Sequence, residues 1–292
     1  MQHRVYKWIF KGALTLINRR FIFFLLMLIV VNPAWSWGSL GHRAICDAAW
    51  RGSSVATQKL LTSAAKRMGY STFAGGCVWA DHIRGQKKYD GIKRLHYMNV
   101  PKNSLILATD PCDDLYSKKP SCVFSAITFY AQRWVDSQLS RRDRDEALLL
   151  MAHFIGDIHQ PLHVGFADDR GGTRKKITFN GHTLSLHRFW DTEILSCVNK
   201  KSWSQLGLQL FHSHGHYDTS NEISPAHQKT PSSNLLTLEP RLWAQESYNL
   251  TRKIYRLLTT RHSKYYCSMF YSAALQRLEL ASVRLTESLR VD

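Results

Sequence analysis

The sequence predicts an all-α protein with a small β-hairpin insertion. Several long segments repeat apolar residues at helical spacing, and one of them, Arg144–Ile158, contains the apolar run Ala147–Ala152. The strand signal is confined to two short segments that flank Asn180-Gly181. With 292 residues, 44% of them hydrophobic, the chain can build one large domain or two small ones, and no linker divides it.

Residues 1–36 have the features of a secretory signal peptide, so we expect the folded catalytic domain to be residues 37–292. A basic start without acidic residues precedes the apolar run Phe21–Val31, and Ala34-Trp35-Ser36 offers small residues for cleavage. The apolar run is too short for a stable transmembrane helix, although an uncleaved signal anchor is an alternative. Removal of the segment lowers the net charge from +17 to +12. We therefore expect an exported protein, periplasmic or secreted, without stable membrane insertion and with no protein partner implied.

Neither the net charge nor the cysteine content identifies a partner or a cysteine pairing by itself. A basic chain suits a polyanionic partner, but basic exported proteins that bind no nucleic acid are also common. An even number of cysteines in an exported chain indicates up to three disulfides, and sequence alone permits fifteen pairings. Thiolate zinc ligands are the alternative, which the absence of a Cys-x-x-Cys pair disfavours.

The remaining elements follow in chain order. The periodicity predicts helices over Ala44–Leu61, Val123–Leu139, Arg144–Ile158, Leu236–Thr259 and Ser268–Leu289. Pro161 ends the third of these. Lys176–Phe179 and His182–Leu184 form the hairpin, and the polar stretch from His212 to Asn234 reads as a long loop.

Two His/Asp pairs at one-turn spacing carry the chemistry. His153 and Asp157 lie on a helix otherwise rich in Leu and Ala, where burying an unpaired charge is costly. His163 follows Pro161, and His187 with Asp191 repeats the spacing on a second helix. A single His/Asp pair at this spacing more often forms a side-chain hydrogen bond than a metal site. Two pairs together with a third histidine indicate non-thiolate zinc ligands.

Further ligand-type residues lie upstream. Asp81 and Arg84 share a segment with Trp79, and His96 precedes an aromatic residue. If the signal is removed after Ser36, the new chain begins Trp37-Gly-Ser-Leu-Gly-His42, in which a free amine, a carbonyl and an imidazole can chelate a metal.

These motifs resemble the S1/P1 nuclease family. The resemblance covers nearly all of residues 37–292, with nine ligand positions in register. Its motifs are Trp37-Gly-Ser-Leu-Gly-His42, Trp79-Ala-Asp81-x-x-Arg84, His96-Tyr-Met-Asn99, His153-Phe-Ile-Gly-Asp157-Ile-His-Gln-Pro-Leu-His163, Asp169-Arg-Gly-Gly and Leu186-His187-x-x-Trp190-Asp191. It implies a phospholipase C/P1 nuclease-like helical fold, three Zn²⁺ ions, and cleavage of single-stranded DNA and RNA to 5′-phosphorylated products, with 3′-nucleotidase activity on nucleotides.

The resemblance also implies a division of the ligands among three sites. The first zinc ion would be held by Asp81, His96, His153 and Asp157. Its close neighbour would be held by His42, by the amine and carbonyl of Trp37, and by Asp157 as a bridge. The third, set apart, would be held by His163, His187 and Asp191.

Four residues are implied in catalysis and substrate binding. Arg84 and Asp81 would be catalytic, with Arg84 neutralising charge on the phosphate, although a surface salt bridge is the alternative for Arg84. Tyr97 would stack on an unpaired base, with core packing as its alternative, and Asn99 would contact the base. The family often has a carboxylate at the position of Asn99, so the base preference is open. Thr173 and Ser185 also replace the family's usual Asn.

Disulfides are implied by the same resemblance. The family has bridges that match Cys46–Cys77 and Cys112–Cys122, which leaves Cys197 to pair with Cys267. The cluster His212, His214 and His216 matches nothing in the family, and a solvated loop is its favoured interpretation.

Two other functions compete with a nuclease. A zinc-dependent phospholipase C is similar in fold and zinc content, but there the first histidine lies farther from the N-terminal Trp and the last carboxylate is commonly Glu. The five-residue separation of Trp37 and His42, together with Asp191, favours the nuclease. A zinc-storing or adhesive protein is the non-catalytic alternative, in which Arg84 and Tyr97 have no role.

Overall fold

The computed structural model describes residues 37–102, 112, 119–198, 200–213, 239–258 and 265–290. The expected signal segment, residues 1–36, and most of the expected loop, with His214 and His216, lie outside the described residues. Helices dominate the described part, which confirms the all-α prediction. Seven long helices are described: α1 Gly38–Gly52, α2 Val55–Arg67, α3 Val123–Val135, α4 Arg141–His159, α5 Trp203–Ser213, α6 Pro240–Leu258 and α7 Tyr266–Ser288.

The single helix predicted over Ala44–Leu61 is wrong, because α1 and α2 are separate helices. Ser53 and Ser54 have extended backbones that interrupt the helix between them. The Ser54 hydroxyl accepts a hydrogen bond from Thr57 N at 3.2 Å, and this N-cap stabilises the start of α2. The apolar periodicity of the sequence continues across this break and does not mark it. The capping residue Ser54 marks the boundary between the two helices.

The other predicted helices exist with shifted ends, and one helix was missed. α4 begins at Arg141, three residues early, because Ser140 caps it by accepting from Asp143 N at 3.1 Å. α5 was not predicted, and it extends through His212 into the segment expected to be a loop. The loop interpretation of His212 is therefore wrong, although its side chain is exposed.

Helix α4 is the centre of the molecule. Every residue from Ala147 to His159 is buried, and the helix contacts α1, α2, α3, α6 and α7. Burial on all sides explains why its apolar residues form an unbroken run instead of one stripe. Polar groups on such a helix require partners, and His153 and Asp157 are among them.

Two small sheets complete the fold. The predicted hairpin is present as β3, Lys176–Phe179, and β4, His182–Ser185, with Asn180 and Gly181 both at positive φ as a type I′ turn requires. A parallel pair was not predicted: β1, Met98–Val100, lies beside β2, Val164–Phe166, with Met98 opposite Val164. Three-residue strands of this kind leave no periodic signal in a sequence.

Three disulfides are formed, one between cysteines 10 residues apart and two between cysteines 31 and 70 residues apart. They link Cys46 with Cys77, Cys112 with Cys122, and Cys197 with Cys267, which are the pairs that the resemblance implies. No free cysteine is found among the described residues. A search of the same residues for a helix that could cross a bilayer, by length and hydropathy, finds none.

Candidate metal centre

Helix α4 and the turn after it supply three of the candidate ligands. His153 and Asp157 are four residues apart and therefore share one face, with His153 Nε2 3.3 Å from Asp157 Oδ2. Pro161 ends the helix, and the turn Pro161–His163 brings His163 Nδ1 to 3.5 Å from Asp157 Oδ1. Both histidines and the carboxylate are buried.

Helix α1 places His42 against α4. Its ring is stacked on that of His153, with centroids 3.8 Å apart, and its Nε2 lies 3.3 Å from Asp157 Oδ1. This approach depends on Gly156, because a Cβ at that position would lie 2.7 Å from His42 Nδ1. Trp37, directly before α1, is completely buried, and its carbonyl accepts a hydrogen bond from Gly41 N at 3.1 Å. Its role as a metal ligand stays a prediction.

Asp81, Arg84 and His96 lie around the same two α4 residues, His153 and Asp157. His96 Nδ1 lies 2.9 Å from Asp157 Oδ2 and 4.0 Å from Asp81 Oδ1. Arg84 Nη2 lies 3.0 Å from Asp81 Oδ1, and Arg84 Nε donates to His96 Nε2 at 3.2 Å. The salt bridge considered as the alternative for Arg84 is therefore present, but it is largely buried, because the Arg84 side chain is only 19% exposed.

A third cluster follows the hairpin. His187 Nε2 lies 3.4 Å from Asp191 Oδ2, and His163 Nε2 lies 3.8 Å from Asp191 Oδ1. The second helix expected here is a short α-turn, Leu186–Arg188, that continues as one π-helical turn, Phe189–Glu193. Such turns occur often at functional sites.

The ligand-type atoms form three groups that could each hold a metal ion. They are His42, His153 and Asp157; Asp81, His96 and His153; and His163, His187 and Asp191. The third group matches the division implied by the resemblance. The first two share His153, whereas the resemblance gives that histidine to one ion and shares Asp157 instead.

Backbone carbonyls orient three of the histidines. The Nδ1 atoms of His153, His163 and His187 donate to the carbonyls of Cys77, His96 and Gly171, at 2.7, 2.6 and 2.7 Å respectively. Each ring therefore has its Nε2 directed into a group as the metal-binding atom. The parallel pairing of β1 with β2 brings His163, directly before β2, next to His96, which lies two residues before β1.

Several buried acceptors in the described part of the chain lack a hydrogen bond, and they lie inside these groups. They are both oxygens of Asp81, Oδ1 of Asp157, Oδ2 of Asp191 and Nε2 of His163. Asp81 Oδ1 lies within ion-pair distance of Arg84 Nη2, at 3.0 Å, although it accepts no hydrogen bond. Unsatisfied buried carboxylates are costly, so the donor set fits bound cations.

Electrostatics keep most of the imidazoles neutral, as metal ligation requires. Burial lowers the pKa of His42 and His163, and burial together with Arg84 lowers the pKa of His96 to about 4. His153 differs, because the Asp157 and Asp81 carboxylates outweigh its burial and raise its pKa. Burial raises the pKa of Asp191 to about 7, the mark of a carboxylate in need of a cationic partner.

The two residues predicted to bind a base lie beside this centre. Tyr97 is half-buried between His96 and β1, and its carbonyl accepts a hydrogen bond from Val123 N at 3.3 Å. Asn99 is exposed on β1, between buried Met98 and Val100. Both side chains follow His96 within three residues, but contact with a base stays a prediction.

Sequence reasoning missed Gln160 and the carbonyls that orient three of the histidines. Gln160 is completely buried, and its Nε2 donates to Asp191 Oδ1 at 2.6 Å. A polar residue between a buried helix and a proline was a usable signal for it. The carbonyl of Cys77 gave no signal, because a main-chain acceptor is independent of residue type.

Comparisons with known proteins give one consistent result. The family model described as S1/P1 Nuclease matches residues 37–291. Endonuclease 1 of Arabidopsis thaliana is 33% identical over 190 residues, which are 62% of this chain and 61% of that protein. Endonuclease 4 of the same plant is 29% identical over 77% of each chain. Nuclease P1 of Penicillium citrinum is 33% identical over 53% of this chain and 57% of its own. The chain thus spans about three fifths of the length of Endonuclease 1 and of nuclease P1.

Proposed function

Because this chain belongs to the S1/P1 nuclease family, we propose that it is a zinc-dependent phosphodiesterase that cleaves single-stranded DNA and RNA. Its products would carry 5′-phosphates, and it would also act on nucleotides as a 3′-nucleotidase. The observation that carries the proposal is the convergence of three buried His/Asp groups around the end of α4. Imidazole nitrogen and carboxylate oxygen are the ligands that zinc takes without thiolates.

We assign three Zn²⁺ ions to these groups, with Asp157 as a bridge between two of them. The two Asp157 oxygens face different partners, which supports the bridge: Oδ1 lies 3.3 Å from His42 Nε2, and Oδ2 lies 2.9 Å from His96 Nδ1. Trp37 would add its amine and carbonyl to the ion on His42. Bound zinc supplies a nucleophile at neutral pH and stabilises negative charge on phosphate oxygens.

The chain's own residues would hold and orient the substrate. Asp81 and His96 keep Arg84 next to the group of Asp81, His96 and His153, so its guanidinium can neutralise charge that develops on the phosphate. Tyr97 would stack on an unpaired base, and Asn99 would contact its edge. A duplex hides its base faces, so such a pocket selects single strands.

We further propose that residues 1–36 are removed during export and that the catalytic domain, residues 37–292, acts in an oxidising compartment. Three disulfides are the pattern expected of proteins that fold there.

Assays on the mature protein test this function. We expect release of 5′-mononucleotides from single-stranded DNA and RNA, slower release from duplex DNA, and about three zinc ions per chain by elemental analysis. Turnover of phosphatidylcholine without cleavage of single strands would overturn the proposal in favour of a phospholipase C.

The variant Arg84→Ala tests whether Arg84 takes part in cleavage. We expect cleavage to fall about 10²- to 10³-fold, because a donor to the developing charge is lost. Arg94→Ala is the matched control, since Arg94 is exposed two residues before His96. Zinc must be measured in both variants, because Arg84 contacts two proposed ligands. Equal rates for the two variants would remove Arg84 from the catalytic residues.

A further inference from the structure

Gln160 lies at the end of α4, midway between Asp157 and His163. Its side chain is completely buried and uses both ends of its amide. The Oε1 atom accepts a hydrogen bond from Leu162 N at 2.6 Å, and the Nε2 atom donates to Asp191 Oδ1 at 2.6 Å.

The two bonds fix the orientation of the amide. Leu162 N–H is a donor and must face an oxygen, so the amide nitrogen must face Asp191. Asp191 Oδ1 is therefore occupied by a donor. The other oxygen, Oδ2, accepts no hydrogen bond in the described structure and lies 3.4 Å from His187 Nε2. Gln160 thus selects which oxygen of Asp191 is presented to the third group.

The backbone around Gln160 is held from α6 and α7. Gln160 N donates to Asp157 O at 3.0 Å. The carbonyls of Ile158, His159 and Pro161 accept from Ser247, Arg277 and Thr251, all of them buried side chains. These bonds satisfy carbonyls at and just after the end of α4 and hold the main chain on both sides of Gln160.

We propose that Gln160 is a positioning residue for the third metal group: it orients Asp191 as a ligand through Oδ2 and ties it to the turn that carries Asp157 and His163. The inference rests on the proposed zinc function. Hydrogen bonds that orient a metal ligand typically change metal affinity 10- to 100-fold when they are removed. The third zinc ion is therefore bound more weakly without the amide, while the two ions near Asp157 are unaffected.

Competition with a zinc chelator tests this on the mature protein. Gln160→Met is close in volume and lacks the donor, and we expect it to lose one of three zinc ions at a chelator concentration about 10- to 100-fold below that needed for the wild type. Ser247→Ala is the matched control, because it removes a bond to the same turn without touching a ligand. Equal zinc retention by wild type and Gln160→Met, or equal loss in both variants, would overturn the inference.

A double-mutant cycle separates positioning from general support. In an Asp191→Ala background, Gln160→Met should change zinc retention no further, because its effect passes through Asp191. An additive loss would contradict the proposal. If Gln160→Met does not fold, Gln160→Glu keeps the acceptor for Leu162 N and puts a second carboxylate against Asp191. We expect it to lose the same zinc ion at pH 8, and full retention would count against Gln160.

The zinc content of the wild-type protein distinguishes failure of the proposed function from failure of the role proposed for Gln160. Wild-type protein that binds no zinc would overturn the proposed function itself. Wild-type protein with three zinc ions, beside unaffected Gln160 variants, would overturn only the role of Gln160.

Discussion

Asp157 contacts four of the histidines in the candidate metal centre. Its oxygens lie 2.9 to 3.5 Å from nitrogen atoms of His42, His96, His153 and His163. Burial favours its neutral form, but the histidines around it, His153 first among them, outweigh that effect and hold the pKa of this carboxyl well below its ordinary range. Asp157 is therefore a carboxylate at neutral pH, the form that can serve two cations.

Asp157→Asn should remove zinc from two groups together, because one carboxylate serves both. We expect about one zinc ion per chain in place of three, and cleavage reduced by about 10³-fold or more, since losing a single electrostatic contact already costs 10² to 10³. Elemental analysis and cleavage of single-stranded DNA measure the two effects.

Asp145→Asn is the control for this change. Asp145 is a buried carboxylate on the same helix, but it is bound by Arg67 at 2.6 and 2.8 Å, away from the metal groups. It should keep three zinc ions. Loss of zinc in both variants would mean that α4 as a whole is perturbed, and loss of one ion only in Asp157→Asn would disprove the bridge.

The sequence predicted ligand types better than their exact surroundings. His153 and Asp157 were evident because polar residues at one-turn spacing on an apolar helix demand partners, and His187 and Asp191 were evident because they repeat that spacing. The carbonyls that orient three histidines were not evident, because they depend on the path of the main chain. The sharing of His153 between two groups likewise requires coordinates.

At the scale of elements, the ends of the helices were harder to predict from the sequence than their presence. The apolar periodicity was read as continuous from α1 into α2, so periodicity alone did not reveal the break at Ser53. The β1–β2 pair was missed because its strands are three residues long, yet it places His96 beside His163. Long, buried α4 was the most predictable element because its apolar run is uninterrupted.

The Cys46–Cys77 disulfide links α1 to the metal centre. Cys46 lies one turn after His42 on α1, and the carbonyl of Cys77 accepts the hydrogen bond from His153 Nδ1 at 2.7 Å. One covalent bond therefore constrains two histidines that approach from different elements.

Replacing Cys46 and Cys77 together by Ser should weaken zinc binding as well as folding. We expect a loss of about 2–4 kcal/mol in the free energy of unfolding, measured with urea, and weaker zinc retention near His153 in chelator competition. The matched control replaces Cys112 and Cys122, a bridge whose residues are not among the proposed ligands. If both double variants lose stability but neither loses zinc, the link from Cys77 to His153 is unimportant for the metal.

At the scale of the whole molecule, the N-terminus is part of the proposed centre. Trp37 is completely buried at the start of the family match, and a Cβ on the next residue, Gly38, would lie 3.0 Å from Asp191 O. Space around the first residues of the domain is therefore tight. An added residue would both remove the free amine and crowd this region.

Mature protein with one extra Met before Trp37 should be nearly inactive although folded. An amide nitrogen is not basic and does not ligate zinc readily, so the ion on His42 would lose a donor. Cleavage of single-stranded DNA by the two proteins, with folding checked by circular dichroism, measures the effect, and precise removal of the Met should restore activity. Equal rates would exclude the Trp37 amine from the metal site.

The hydrogen bond from His153 to the Cys77 carbonyl also affects how the metal centre would behave before the protein is exported. In a reducing cytosol the Cys46–Cys77 bridge does not persist, so the carbonyl that orients His153 is no longer tethered to α1. If residues 1–36 direct export as proposed, newly made chains meet the producer's own messenger RNA only while this tether is absent. Chains still in the cytosol would then hold zinc near His153 more weakly than exported chains, because the oxidation that follows export forms the tether.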